Sequence, residues 1–307
     1  MKALGLTYIF SNQHRILNMR KFLALALISV LIAACTGSQI ASDSITPKPE
    51  AESTSQVVLM SEVEWGPLNP ARGDNSPRAG NLWGDRTDSG ASGFLVQFVD
   101  GFSSPPHIHN ITYRGVAISG TVHNDDTNAE KMWMPNGSFW TQPAGGVHIT
   151  AAEGSKNLAY IEIDSGPYLV LPPEKAFQSE DKPINVDASN IVWVDSEGMP
   201  ASKNAAKVAF LWGSPQDGQM NGTLVKLPAG FTGNIRSNGS TFRAVVIQGQ
   251  PQYQVSNETE VKTLVPGSYF GSKGKSVHQV SSNAKDESII YVRTDGKFDI
   301  IQAQSKK

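Results

Sequence analysis

Cysteine is almost missing from this chain: Cys35 is the only one in 307 residues, so no intramolecular disulfide can staple the fold in any compartment. Long apolar runs are missing too. The run over residues 22–32 is 11 residues long, against the roughly 20 that a membrane-spanning helix needs. Charge of one sign is balanced away, with 26 Lys and Arg against 28 Asp and Glu. No basic block could neutralise a phosphate backbone, which excludes nucleic acid as a partner. Beyond the N-terminus no long stretch shows the 3.6-residue period of an amphipathic helix. What remains is rich in Gly (28) and Pro (18), with short runs of Val, Ile, Tyr and Phe between them, the pattern of strands joined by tight turns.

The N-terminal region has the grammar of a targeting signal. Met19, Arg20 and Lys21 form a basic start, the 11-residue apolar run follows, and Ile32-Ala33-Ala34-Cys35 closes it with small residues. That order suits a signal peptide. The closing tetrapeptide resembles a bacterial lipobox, which implies cleavage before Cys35 and diacylation of its sulfur. Translation is expected to start at Met19, and residues 1–35 are expected to be removed or lipidated. Thr36, where an aspartate would favour inner-membrane retention, points by the same resemblance to an outer-membrane anchor facing the periplasm. Residues 36–56 are rich in Ser, Thr, Ala, Pro and Glu and bury too little surface to fold. They read as a tether with a reach of roughly 25 Å.

The remainder is an internal duplication. At an offset of 129, residues 82–120 align without gaps onto residues 211–249 with 14 identities in 39 positions, so each copy is one structural unit. The identities include Leu82-Trp83-Gly84 with Leu211-Trp212-Gly213, Gly101-Phe102 with Gly230-Phe231, and Arg114 with Arg243. Proline-rich sequence around Pro172, Pro173 and Pro183 connects the units, placing them at residues 57–180 and 181–307. The expected fold class is all-β: two tandem antiparallel barrels or jelly rolls, since closure is how short strands avoid open edges.

Chemistry concentrates in the first copy. Gly101 is followed after five residues by His107-Ile108-His109, and Gly120 ends the next strand. Residues i and i+2 of a strand share a face, so both imidazoles can aim into one lumen. Gly137, Pro143, Gly145 and His148 supply a third from another strand. In these spacings the sequence resembles the cupin superfamily, whose paired and single motif histidines are metal ligands. The resemblance implies one divalent transition metal, iron or zinc, on His107, His109 and His148. Tyr113 stands where the superfamily carries a glutamate ligand, and Ala152 replaces the asparagine of the second motif. Three neutral ligands leave the metal its full charge and open positions, and Tyr113 is expected to orient a bound small molecule. Glu162, His123 and Glu130 are read as surface residues rather than replacement ligands. Trp83, Trp133, Phe139 and Trp140 are candidate pocket walls, with core packing the expected role of Trp83.

In the second copy His107 and His109 become Arg236 and Asn238, and the second motif survives as Gly267, Lys273-Gly274-Lys275 and His278. One imidazole cannot hold a catalytic metal, so this barrel is expected to serve stability or dimer packing. A small-anion pocket formed by Arg236, Lys273, Lys275 and His278 is the alternative. The whole of residues 57–307 is similar to a bacterial bicupin family classified as a domain of unknown function. More distantly, the first barrel resembles three-histidine iron dioxygenases and the zinc cupin of certain anti-sigma factors. These resemblances imply a metal-dependent oxygenase acting on a small molecule. A non-catalytic metal or ligand binder, or a structural envelope lipoprotein with a vestigial site, stands as the alternative.

Overall fold

The computed structural model describes residues 54–196, 205–255 and 259–303; the expected signal, Cys35 and most of the expected tether lie outside them. Among the described residues helix is confined to four short 3-10 segments, and everything else regular is antiparallel strand. The chain forms two tandem cupin barrels of the jelly-roll type. The first is built on an eight-stranded sheet whose central strands are the long Tyr113–Asp125 and Ile149–Ile163. A two-stranded ribbon of Ile108–His109 with Val170–Leu171 completes its open end. The second barrel sets a seven-stranded sheet against a five-stranded one.

Strand pairing crosses the two repeats. Thr54–Val58, ahead of the first repeat, pairs with Tyr269–Lys273 of the second barrel, Val57 lying opposite Phe270. Ile184–Val186, which opens the second repeat, pairs with Phe139–Gln142 of the first, Asn185 lying opposite Trp140. Each barrel thus takes its edge strand from the segment leading into the other. The expected tether consequently ends earlier than its composition suggests, because Thr54–Gln56 gains backbone partners on an otherwise open sheet edge.

Three buried clusters hold the molecule together. Two fill the barrel lumens: Phe94, Val96, Trp140 and Ile161 in the first, and Phe231, Phe242, Tyr253 and Phe270 in the second. The third draws on both copies, packing Leu82, Trp83, Leu95 and Tyr160 with Leu224, Tyr269, Ile289 and Tyr291. Each large side chain buried in this way contributes roughly 2–3 kcal/mol, so the barrels share a core rather than merely touching.

The residues kept identical in the duplication sit in this shared core. The Trp83 indole N–H donates to the Tyr160 hydroxyl at 3.0 Å, and the Trp212 indole donates to Tyr291 at 2.8 Å. Gly93 and Gly222 are also identical, and a Cβ at either would run into the neighbouring indole. The guanidinium of Arg114 lies 3.8 Å from the ring of Trp212, and that of Arg243 lies 5.0 Å from Trp83. Each retained arginine therefore caps the tryptophan of the other copy, a cation–π contact across the interface.

One equivalent position has diverged. Glu162 is opposite Arg114 in the first sheet and Arg293 is opposite Arg243 in the second. Glu162, expected at the surface, is 1% exposed. It accepts hydrogen bonds from Tyr160 (3.1 Å), Tyr291 (2.8 Å) and Arg293 (3.2 Å). Arg293 also donates to Asp164 at 2.6 Å, and Arg114 donates to the same carboxylate at 3.0 Å. A buried carboxylate is tolerated only when paired and hydrogen-bonded, and both barrels supply its partners.

Candidate metal centre

His107 and His148 face each other across an antiparallel bridge. The His107 amide donates to the His148 carbonyl at 3.1 Å, and the His148 amide returns the bond at 3.0 Å. His109 lies two residues further along, its strand held by Val170 and Leu171. The turn carrying Pro143 and Gly145 is tied in as well: the Gly145 amide, at φ 72°, donates to the His109 carbonyl at 2.8 Å. The three imidazoles are buried, with ring centroids 4.3–5.2 Å apart, and one ligand atom from each lies within 4.8 Å of the others.

Every ring is oriented by a backbone carbonyl. His107 Nδ1 donates to Pro105 O at 3.0 Å, His109 Nδ1 to Leu169 O at 2.9 Å, and His148 Nδ1 to Gly146 O at 3.0 Å. This pattern puts the proton on Nδ1 and leaves each Nε2 with a lone pair. Burial lowers the proton affinity of all three, reinforced by the neighbouring imidazoles at His109 and His148; His148 falls to about 3. They are neutral at physiological pH, the state in which imidazole ligates. The Nε2 of His148 has no hydrogen-bond partner although it is fully buried. An orphaned acceptor beside two further Nε2 atoms is a set of donors that fits a cation.

Two tyrosines border this centre. Tyr113 turns its ring edge to His109 (5.0 Å, 86°), while its hydroxyl donates to Asn124 Oδ1 at 2.8 Å. The bond begins a buried relay: Thr150 also donates to Asn124, Asn124 Nδ2 donates to Gln142, and Gln142 Nε2 donates to Gly146 O, the carbonyl that orients His148. Sequence reasoning missed Tyr168. It stacks on His109 at 4.3 Å, and its hydroxyl lies 3.1 Å from His109 Nε2. No spacing singles it out, because Tyr168 reaches the site through a loop after the last long strand. Burial raises both phenols above their ordinary range, so both remain protonated donors.

A cavity of about 360 Å³ opens beside the histidines, lined among others by Phe98, Phe102, Trp140, Ile161, Tyr168 and Leu171. Of the four candidate wall aromatics, Trp140 lines it. Trp83 and Phe139 belong to the core between barrels, and Trp133 packs on His123. His123 is 1% exposed rather than on the surface, because its strand runs beneath Trp133; Glu130 is exposed.

Among its described residues the second barrel gathers no such set. Arg236 and Lys273 are exposed, and Lys275 with them, because they alternate with the inward residues Ile235, Ser237, Ser272 and Ser276. The alternative anion pocket is not assembled: Arg236, Lys273 and Lys275 are exposed while His278 faces the packed lumen. His278 Nδ1 meets the Tyr253 hydroxyl at 2.9 Å, and Nε2 meets Ser276 at 3.0 Å and Ser272 at 3.2 Å. Phe242, the counterpart of Tyr113, stacks on it at 4.5 Å.

With this geometry in place, the wider relationships are interpretable. The chain belongs to the family described as Domain of unknown function (DUF4437), which matches residues 56–301. No curated protein matches it in sequence. Among solved structures it is similar to a candidate dioxygenase from Nostoc punctiforme PCC 73102, with a TM-score of 0.57 and 15% identity over 82% of this chain and 87% of that one. It is also similar to a salicylate 1,2-dioxygenase from Pseudaminobacter salicylatoxidans (TM-score 0.52, 13% identity, 82% and 87%). An oxalate decarboxylase variant from Bacillus subtilis is similar too (TM-score 0.51, 11% identity, 83% and 81%). At these identities the likeness establishes the bicupin fold; function rests on the site.

Proposed function

We propose that this chain is a metal-dependent cupin that holds one divalent transition metal on Nε2 of His107, His109 and His148 and acts on a small molecule in the adjoining cavity. The observation that carries this reading is the convergence of three neutral imidazoles with the buried Nε2 of His148 unpartnered. A metal bound there would supply Lewis acidity, and iron would add oxygenase chemistry. The dioxygenase likenesses support the oxygenase form. The cavity lining does as well, because it includes no Asp or Glu to act as a general base. The protein's own contribution is to keep the ligand atoms fixed and dry, to exclude water with apolar walls, and to offer the Tyr168 hydroxyl as a hydrogen-bond donor beside His109.

Elemental analysis of protein purified without added metal tests this directly. One equivalent of iron, with oxygen uptake on small organic acids, supports the oxygenase. One equivalent of zinc supports the non-catalytic binder, and no stoichiometric metal sinks both. We also propose that the chain is anchored in the bacterial envelope through Cys35, on the strength of the residues 19–35 signal pattern. Mass spectrometry of the mature N-terminus should find a diacylated cysteine, and Cys35→Ser should release the protein from membranes.

A further inference from the structure

We propose that the cavity beside the three histidines selects an apolar monocarboxylate and that Arg72 is the residue that recognises its carboxylate. The proposal deepens, and takes its site from, the metal-dependent reading above, but it stands on the lining of the cavity itself. At about 360 Å³ the space has the scale of a small-ligand site. Its walls are mostly hydrocarbon and aromatic. Arg72 is the one permanently charged side chain in that lining, and no carboxylate accompanies it.

Arg72 reaches the cavity from the 3-10 segment Pro70–Asn75. It is half-buried, with its guanidinium 5.6 Å from the ring of Phe102. Among the described residues it forms no ion pair, whereas Arg114 and Arg293 both answer carboxylates. Three further polar groups of the lining are already committed. Asn69 Oδ1 accepts from the Ala71 amide, Ser104 Oγ accepts from the Thr150 amide, and the Thr150 hydroxyl donates to Asn124. Arg72 is thus a planar set of donors without an acceptor, at the edge of an apolar space. A guanidinium fork matches a carboxylate better than any neutral group, and a single cation calls for a single carboxylate.

Calorimetric titration of the full chain with benzoate, its neutral isostere benzamide, and acetate tests the proposal. The wild type, Arg72→Gln and Arg72→Lys are each titrated in metal-stripped and metal-loaded form. Wild type should bind benzoate about tenfold more tightly than benzamide, the worth of one charge-assisted contact, and acetate more weakly than benzoate for want of an apolar body. Arg72→Gln should erase the preference for benzoate in both forms, Arg72→Lys should restore part of it, and neither should change metal content or melting temperature. A preference that survives Arg72→Gln overturns the proposal. So does the absence of saturable binding by benzoate, 1-naphthoate and hexanoate in wild type. Failure of the metal reading shows separately, as a chain that loads no metal, and the Arg72 ratio is still read in the stripped protein.

Discussion

In the first barrel three imidazoles meet at the lumen, and His148 turns a buried Nε2 without a hydrogen-bond partner toward the other two. In the second barrel the corresponding space holds Phe242, Tyr253 and Phe270 around His278, whose two nitrogens are both answered by hydroxyls. Burial does not separate the two histidines, since both are fully buried. Nor does proton affinity, which desolvation lowers to about 3 in one and about 4 in the other. What separates these two is what each Nε2 faces: two further imidazoles at His148, the hydroxyls of Ser272 and Ser276 at His278.

The largest effect that would sharpen this contrast is in metal content. His148→Ala removes one of three ligands and should take bound metal from one equivalent to background. His278→Ala should leave it unchanged. Elemental analysis of the two variants side by side checks this, and a His148→Ala protein that still carries a full equivalent would break the comparison.

Next comes the seam between the barrels. Removing one member of a buried ion pair typically costs about 3–5 kcal/mol. Glu162→Leu takes one of its two carboxylates from Arg293, at 6% side-chain exposure, which keeps Asp164, and leaves the Tyr291 hydroxyl without its acceptor; unfolding free energy should fall by the low end of that range, about 3 kcal/mol, in denaturant titrations. Adding Arg293→Met should recover most of it, since two apolar groups replace two buried charges. If the single variant melts like wild type, the seam does not couple the barrels.

The histidine triad and the duplication were legible in the sequence because both are spacing patterns, and strands with fixed turns preserve spacing. The role of the duplicated residues was not. Trp83, Gly93 and Arg114 are identical to Trp212, Gly222 and Arg243, yet identity alone could not show that each arginine crosses to the other copy's tryptophan. Glu162 and His123 read as surface residues because a polar side chain on a strand is normally solvated; here a second barrel covers one and Trp133 the other. Arg72 and Tyr168 escaped entirely. They reach the cavity from irregular segments outside the aligned stretch, where contact depends on how loops close rather than on any period.

A smaller effect tests the second barrel through pH. His278 has a depressed folded-state pKa, so the unfolded chain takes up its proton more readily. The neutral ring's contribution is therefore complete above the ordinary value near 6.5 and disappears as pH falls toward about 4. The loss across that window is roughly 3 kcal/mol. Denaturation of metal-loaded wild type and His278→Gln at several pH values isolates it, and the variant should show a correspondingly flatter dependence. Equal slopes would place the proton uptake elsewhere.

The smallest effect is the most discriminating, because it converts a residue of the first barrel into its counterpart in the second. Tyr113→Phe introduces the side chain found at Phe242. It removes the donor to Asn124 Oδ1, but that oxygen keeps its bond from Thr150, so stability should fall by only about 1 kcal/mol. Metal should still bind, since Tyr113 offers its hydroxyl to Asn124 and only its ring edge to His109. The consequence should appear at His148, at the far end of the relay through Gln142 and Gly146, as a roughly tenfold loss of metal affinity, the low end of the scale typical of altered outer hydrogen bonds. Unchanged affinity would mean that Tyr113 only fills space, as Phe242 does. Complete loss of metal would mean that the phenol itself is a metal ligand.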